Sequence, residues 1–179
     1  MLEDINFEIN KNEKYAFIGA NGAGKTTLLK ILCEKLKLNK GDITLGHNVV
    51  KGYQSQEFGE VLQPDVTVFD TIAYNTTASD NELRKILGNF GFDKEDINKK
   101  TQVLSGGEKI RLSFAKLFTN PPNFLLLDEP TTHLDIDGRI KLEDLLKNYE
   151  GTFCIVSQDI TFIKNINADI VHVDKNRIT

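Results

Sequence analysis

The chain has 179 residues, of which 40% are hydrophobic and 27% are charged, and its formal net charge is −4. This composition is typical of a globular domain and gives no overall basic surface for nucleic acid. No apolar run approaches the ~20 residues that a membrane-spanning helix needs, and the acidic start of the chain does not resemble a signal peptide. Cys33 and Cys154 each fall in an apolar segment, so we expect two buried thiols in a reducing compartment.

Strands and helices are predicted to alternate along the chain. Period-two or continuous apolar patterns predict strands at 5–9, 15–18, 43–45, 49–53, 124–127, 153–156 and 170–173. Helical spacing predicts helices from about 24 to 38, between about 66 and 92, from 105 to 119, after Asp135, and briefly before the last strand. The strands at 43–45 and 49–53 are expected to be joined by a turn. The alternation predicts an α/β fold with a mostly parallel sheet.

The segment GANGAGKT at 19–26 fits the phosphate-binding pattern G-x-x-x-x-G-K-[ST] at every fixed position. Its glycines allow a tight turn that directs N–H groups at phosphate oxygens. Lys25 supplies a positive charge for the β- and γ-phosphates, and Thr26 offers a hydroxyl to Mg²⁺. A strand is predicted before the loop and a helix after it, as this motif requires. The predicted nucleotide ligands here are Gly19, Asn21, Gly22, Ala23, Gly24, Lys25, Thr26 and Thr27.

Two further segments carry candidate chemistry. Asp128 and Glu129 follow a predicted buried strand, where an Asp can hold Mg²⁺ through water and a neighbouring carboxylate can polarise an attacking water. Ser105 opens a predicted helix with two glycines behind it, and its spacing to Glu108 is that of a capping box. Such a helix N-terminus could bind phosphate, although taken alone it indicates only a helix cap.

The order and spacing of five motifs resemble those of an ATP-binding cassette (ABC) ATPase. These are the phosphate loop, Gln56, LSGGE at 104–108, LLDEP at 126–130, and Leu134-Asp135. The chain looks most like the ABC-F branch, whose members act on ribosomes, because of its sequence at 52–57, 104–111, 130–136 and 142–152. The branch usually has Asn where Thr132 stands. The resemblance covers essentially the whole chain.

The resemblance implies a single ABC ATPase domain over 1–179 with the fold of a P-loop NTPase. In that fold a mostly parallel sheet is flanked by helices and accompanied by a small antiparallel β part. A short helical insert would occupy about 57–104. ATP and Mg²⁺ would be the cofactors, and a second cassette, on the same or a fused chain, would be a partner.

Residue roles follow from the same resemblance. The implied metal-binding set is Thr26, Gln56 and Asp128. The implied ligands of the γ-phosphate of an ATP held by the partner cassette are Ser105, Gly106 and Gly107. Gln56 would also sense the γ-phosphate, Glu129 would be the catalytic base or water-orienting group, and Asp135 would cross to the partner's phosphate loop.

Besides Thr132, the chain departs from the family pattern in three places. Gln158 stands where the family has a catalytic histidine, so Gln158 would be the catalytic residue at this position. Because glutamine does not titrate as histidine does, slow hydrolysis is expected. The aromatic residue that stacks on adenine would precede Met1, so we expect the first strand to be missing. The insert is too short for the long arm of many ABC-F first cassettes, which favours a second or an armless first cassette.

Three functions remain open at this point. The first is a cytoplasmic ABC-F ATPase that acts on the ribosome, in translation or antibiotic resistance. The second is the ATP-binding subunit of a membrane transporter, docked on a transmembrane permease without entering the membrane itself. The third is an ATP clamp that hydrolyses slowly. The motif variants between 130 and 136 favour the first over the second.

Overall fold

The computed structural model describes residues 5–55, 62–174 and 177–178, with side chains described as far as 174. The chain divides into two compact units. Met1–Ser55, Pro122–Pro130 and Leu146–Thr179 form the first unit, which contains the strands. Gln56–Pro121 and Thr131–Leu145 form the second unit, which is helical. Among the described helices, none is long and apolar enough to cross a membrane.

A six-stranded sheet runs through the described part of the first unit, in the order β2-β3-β4-β1-β5-β6. Its strands are β1 (Lys14–Ile18), β2 (Lys51–Gln54), β3 (Phe124–Asp128), β4 (Thr152–Val156), β5 (Asp169–Asp174) and β6 (Arg177–Ile178). The first five strands pair in parallel, and β6 joins β5 antiparallel. The predicted, mostly parallel sheet is therefore confirmed, while β6 was not predicted.

The core of the first unit lies where the sheet meets helix α1 (Lys25–Leu32), which packs against β3 and β4. Every residue of β3 and β4 is buried, as expected for continuous apolar strands covered on both faces. The buried cluster contains Phe17, Leu28, Leu29, Phe124, Leu126, Cys154, Val156, Val171 and Val173. Both cysteines are free thiols, but only Cys154 is fully buried, and Cys33 is partly exposed. Helix α6 (Ile160–Asn165) also belongs to this unit.

The second unit is built on α2 (Val68–Ala73), α3 (Asp80–Asn89) and α4 (Gly106–Thr119), which pack against one another. Short 3-10 turns occur at Asp96–Asn98 and Thr101–Val103, and α5 (Ile136–Lys147) begins in this unit. The ring of Phe90 stacks at 6.5 Å on Phe114 and at 6.2 Å on Phe118. The helices predicted between 66 and 92 and after Ser105 are therefore confirmed.

The strand predicted at 5–9 is wrong, since no strand is assigned there. The alternation instead reflects side-chain packing. The ring of Phe7 lies edge-on to Tyr15 at 5.2 Å and to Phe17 at 5.8 Å, and Ile9 packs on the core. A strand also needs a partner strand for its backbone groups, and alternation alone does not provide one.

The helix after the phosphate loop ends at Leu32, earlier than the predicted Leu38. Glu34 takes a left-handed φ of 62°, and the N–H groups of Lys35 and Leu36 both donate to the carbonyl oxygen of Lys30 at 2.8 and 3.1 Å. These bonds close the helix with a left-handed turn. The sequence argument placed the stop at Gly41, because it treated a left-handed C-terminus as a glycine property.

The prediction that two strands at 43–45 and 49–53 are joined by a turn is wrong, although β2 overlaps the second of these predicted strands. Residues 43–45 form no strand, and β2 begins at Lys51 and pairs in parallel with β3. Ile43 and Leu45 are each 39% exposed, so their alternation with polar residues does not mark a buried face. In the described chain, the antiparallel pairing between strands is that of β5 with β6.

Candidate functional site

The phosphate loop connects β1 to α1 and depends on its glycines. A Cβ atom on Gly19 would lie 2.2 Å from the carbonyl oxygen of Val173 on β5, so no larger residue fits there. Gly22 and Gly24 have φ angles of 78° and 104°, which L side chains rarely adopt. Gly24 is the N-cap of α1, and no side chain caps this helix within the described residues. The first N–H groups of α1 therefore remain available to an anion.

The Lys25 side chain folds back over the loop. Only 7% of the residue is exposed, and its Nζ donates to the carbonyl oxygens of Gly19 at 2.8 Å and Ala20 at 3.1 Å. An ammonium group has three N–H donors, so one is left for a ligand while the charge stays within the loop. Of the other predicted ligands in this loop, Ala23 is buried, whereas Asn21 and Thr27 are exposed.

Thr26 and Asp128 meet although 102 residues separate them. The Thr26 hydroxyl donates to Asp128 Oδ1 at 3.1 Å, and Asp128 is 1% exposed. Burial raises the pKa of Asp128, against the lowering effects of the Thr26 hydrogen bond and the charges of Lys30 and Lys25. A hydroxyl and a carboxylate are hard oxygen donors, and Mg²⁺ usually takes one or two carboxylates together with water and phosphate. The pair therefore fits Mg²⁺, while Gln56, the third predicted ligand, lies outside the described residues.

Glu129 directly follows β3 in a strained conformation. Its φ is 47°, and its backbone N–H donates to the carbonyl oxygen of Val156 at 2.9 Å. Burial raises the pKa of Glu129, the neighbouring Asp128 raises it further, and Lys25 lowers it. A carboxylate with a raised pKa is a stronger base for a water molecule. Left-handed strain at a non-glycine residue is typical of functional sites.

Gln158 lies within reach of the phosphate loop. It follows β4, and its Nε2 donates to Asn21 Oδ1 at 2.8 Å. The two side chains are exposed and 137 residues apart in the sequence. The sequence predicted both residues as nucleotide-site groups but did not predict this contact.

Ser105 caps α4 in the second unit and forms the predicted capping box with Glu108. Its hydroxyl donates to Glu108 Oε2 at 2.6 Å and accepts the Glu108 N–H at 3.3 Å. The Ser105 hydrogen bonds also lower the pKa of Glu108. Gly106 has open space where a side chain would be, whereas a Cβ atom on Gly107 would lie 3.4 Å from the His133 carbonyl oxygen. The Ser105 hydroxyl would have to exchange its partner in order to bind a phosphate.

Asp135 belongs to the same unit, just before α5. Its Oδ1 accepts the Gly138 N–H at 2.7 Å, and its Oδ2 accepts Arg111 Nη1 at 3.1 Å. Sequence reasoning gave Arg111 no role. Its place in the second turn of α4 does not predict this contact, because 24 residues separate it from Asp135.

The structure thus brings the predicted residues together in two groups. The first unit holds the phosphate loop, Asp128, Glu129 and Gln158, and the second unit holds Ser105, Gly106, Gly107 and Asp135.

Known proteins are similar in sequence to this chain over nearly its full length. The family model described as ABC transporter matches residues 2–132. The Putative ATP-binding protein YdiF of Bacillus subtilis is 40% identical over 99% of this chain and 28% of its own length. The ABC transporter F family member 5 of Arabidopsis thaliana is 41% identical over 97% of this chain and 25% of its own length. The chain spans about a quarter of the length of these relatives.

Two solved structures share the fold. One is a dimeric ATP-binding cassette in a post-hydrolysis state with ADP and Pi, which matches with a TM-score of 0.81 at 25% identity. The other is a dimeric bacterial ABC transporter cassette, with a TM-score of 0.82 at 24% identity, which shows the fold alone. Each match covers 99% of this chain and 89% of the solved chain.

Proposed function

The chain belongs to the ABC transporter family, and we propose that it binds Mg-ATP at its phosphate loop and hydrolyses it together with a second cassette. It is an ABC ATPase cassette with the fold of P-loop NTPases, as the sequence predicted. The predicted resemblance to the ABC-F branch is also confirmed, since its relatives include F family members. The observation that carries the proposal is the 3.1 Å hydrogen bond between Thr26 and Asp128, two of the three predicted magnesium ligands.

The residues of the first unit would divide the work at the nucleotide. Lys25 and the uncapped N–H groups of α1 would hold the β- and γ-phosphates. Thr26 and Asp128 would hold Mg²⁺, which neutralises charge on the phosphates. Glu129 would orient the attacking water and accept its proton, a task that its raised pKa favours.

We propose that hydrolysis occurs at a head-to-tail interface of two cassettes. Both solved relatives are dimers, which supports a second cassette as partner. In the proposal, Ser105, Gly106 and Gly107 of one cassette contact the γ-phosphate on the other, and Asp135 reaches the other's phosphate loop. The glycine-rich start of α4, where Gly106 has open space in place of a side chain, and the exposed Asp135 carboxylate suit these contacts.

The biological setting that we propose is the ribosome in the cytoplasm, with the ATP cycle driving binding and release. The support is the similarity to F family members, one of which is 41% identical to this chain. The alternative partner is a membrane permease, and the experiment must distinguish it from the ribosome.

The test uses Glu129→Gln, with Glu150→Gln as a control at an exposed glutamate. We expect Glu129→Gln to lower ATP turnover by about 10²–10⁴-fold, the usual contribution of a general base, and to increase co-sedimentation with ribosomes in ATP. Turnover per molecule of the unmodified protein should rise with protein concentration or with an added partner cassette. Constant turnover in a proven monomer would refute the shared site, and stable co-purification with a membrane permease would refute the ribosomal setting.

A further inference from the structure

Arg111 connects helix α4 to the segment that carries Asp135. Its Nη1 donates to Asp135 Oδ2 at 3.1 Å, and the Gly138 N–H donates to the other carboxylate oxygen at 2.7 Å. The Arg111 side chain is 17% exposed, whereas that of Asp135 is 61% exposed. Both carboxylate oxygens are thus held from within the unit, while the face of Asp135 away from Arg111 stays open to a partner.

The orientation of Arg111 does not satisfy all of the hydrogen-bond donors of its guanidinium group. Its Nε is buried and has no hydrogen-bond partner among the described residues, which is an unfavourable state for a charged donor. The guanidinium carbon lies 5.9 Å from the ring centroid of Phe92, which supports the side chain from one side. This arrangement leaves one N–H unpaired and directs another at Asp135. The hydrogen bond to Asp135 is therefore what the buried guanidinium group contributes to the unit.

A second close approach joins the same two segments. A Cβ atom on Gly107 would lie 3.4 Å from the carbonyl oxygen of His133, so the backbone before Asp135 runs close to the first turn of α4. His133 itself has a left-handed φ of 66°. The start of α4 is thus close to the Asp135 segment at Gly107 and again, one turn later, at Arg111.

We infer that Arg111 is a positioning residue that fixes Asp135 relative to the N-terminus of α4. The inference rests on the proposed function, in which Ser105 and Asp135 both act on the nucleotide site of a partner cassette. Ser105 and Asp135 must reach one nucleotide together, so a fixed distance between them favours catalysis. Misplacement of a positioned group by about 1 Å can lower the rate by about 100-fold. Arginine suits this task better than lysine, since its planar fork fixes an orientation as well as a charge.

The test measures kcat, KM and ATP affinity for Arg111→Met, Arg111→Lys and Asp135→Asn. The control is Lys109→Met, which removes a positive charge from a partly exposed site on the same helix. We expect Arg111→Met to lower kcat by about 10- to 100-fold and to leave the ATP affinity of the chain's own phosphate loop within about twofold. Arg111→Lys should recover part of the loss, and Lys109→Met should behave as the unmodified protein. Adding Arg111→Met to Asp135→Asn should cost nothing further, because residues that act through one another are not additive.

The possible failures are distinguishable. If Arg111→Met matches Lys109→Met while Asp135→Asn lowers kcat, the inference is overturned and the proposed function stands. If Asp135→Asn leaves kcat unchanged, the proposed role of Asp135 is overturned together with the inference. If Arg111→Met does not fold, as judged by thermal unfolding, then Arg111→Lys combined with Asp135→Asn decides, and additive losses overturn the inference.

Discussion

Replacing Gln158 by histidine should raise the rate of ATP hydrolysis. Gln158 follows β4, and its amide donates to Asn21 Oδ1 at 2.8 Å within the first unit. A glutamine amide can donate a hydrogen bond to a γ-phosphate, but it can neither carry a positive charge nor shuttle a proton. A histidine can do both near neutral pH. We therefore expect the present side chain to retain contact with bound ATP and to stabilise the transition state poorly.

Two contributions set the expected change in kcat and in ATP affinity, namely the electrostatic donor and the hydrogen bond to Asn21. The loss of one preorganised electrostatic donor typically costs about 10²–10³ in turnover. Because glutamine keeps its N–H₂ donor, the lower value of about 100-fold applies here. To reach a phosphate, the amide must also give up the Asn21 hydrogen bond, a neutral contact with a net contribution of about 1 kcal/mol, or about fivefold. Gln158→His should thus raise kcat by at least about 100-fold and change ATP affinity by no more than about fivefold.

The assay is single-turnover hydrolysis under conditions that allow cassettes to pair, together with calorimetry for ATP affinity. The histidine variant should also gain a pH dependence, with turnover rising as pH falls through about 6.5, because the protonated imidazole is the better electrostatic donor. Asn21→Ala is a comparison variant that frees the Gln158 amide without adding a charge, and its own effect on ATP affinity is measured too because Asn21 is a predicted nucleotide ligand. If the unmodified protein hydrolyses ATP as fast as the histidine variant, the slow-clamp hypothesis is wrong and Gln158 is a functional substitute.

Two further substitutions test the phosphate loop and the predicted magnesium site. Lys25→Met should weaken ATP binding by about 100-fold in calorimetry, because hydrogen bonds to charged groups contribute about 1.5–3 kcal/mol. The control is Lys37→Met, at an exposed lysine, which should leave ATP binding unchanged. Equal ATP affinities of the two variants would contradict the role of Lys25. Asp128→Asn should raise the melting temperature of the nucleotide-free protein at neutral pH and should lower Mg²⁺-dependent ATP binding. Burial raises the pKa of Asp128, so its charge destabilises the fold above the raised pKa, and this cost disappears as pH falls towards the ordinary pKa of 3.8. A lower melting temperature would contradict this explanation.

The sequence predicted those parts of the fold where local pattern and burial agree. The strand before the phosphate loop, the buried run ending in Asp128 and the capping box of Ser105 all occur as predicted. In each case the residues that determine the structure lie within one short segment. The patterns are a continuous apolar run, a glycine-rich turn, and a serine three residues before a glutamate. By contrast, Ile43 and Leu45 alternate with polar residues yet form no strand, since pairing depends on a distant segment.

Contacts between distant residues were beyond sequence reasoning for the same physical reason. The Gln158–Asn21 and Arg111–Asp135 hydrogen bonds join residues 137 and 24 positions apart. No local propensity reports such a contact, because it depends on which loops the completed fold brings together. These contacts nevertheless engage residues that are predicted to act at the nucleotide site.

In this structure, the polar groups proposed to meet ATP have hydrogen-bond partners within the chain. Lys25 is bound by loop carbonyls, Thr26 by Asp128, Ser105 by Glu108, Asp135 by Arg111, and Gln158 by Asn21. Nucleotide binding would therefore exchange hydrogen bonds more than it adds them, and such exchanges contribute little net free energy. The larger gains must come from charge. Asp128 and Glu129 are adjacent carboxylates whose pKa values are raised by burial, and Asp128 raises that of Glu129 further. A cation beside them and a negative phosphate beside Lys25 would relieve this electrostatic cost, so ATP affinity should depend steeply on Mg²⁺ and on the charges of these residues.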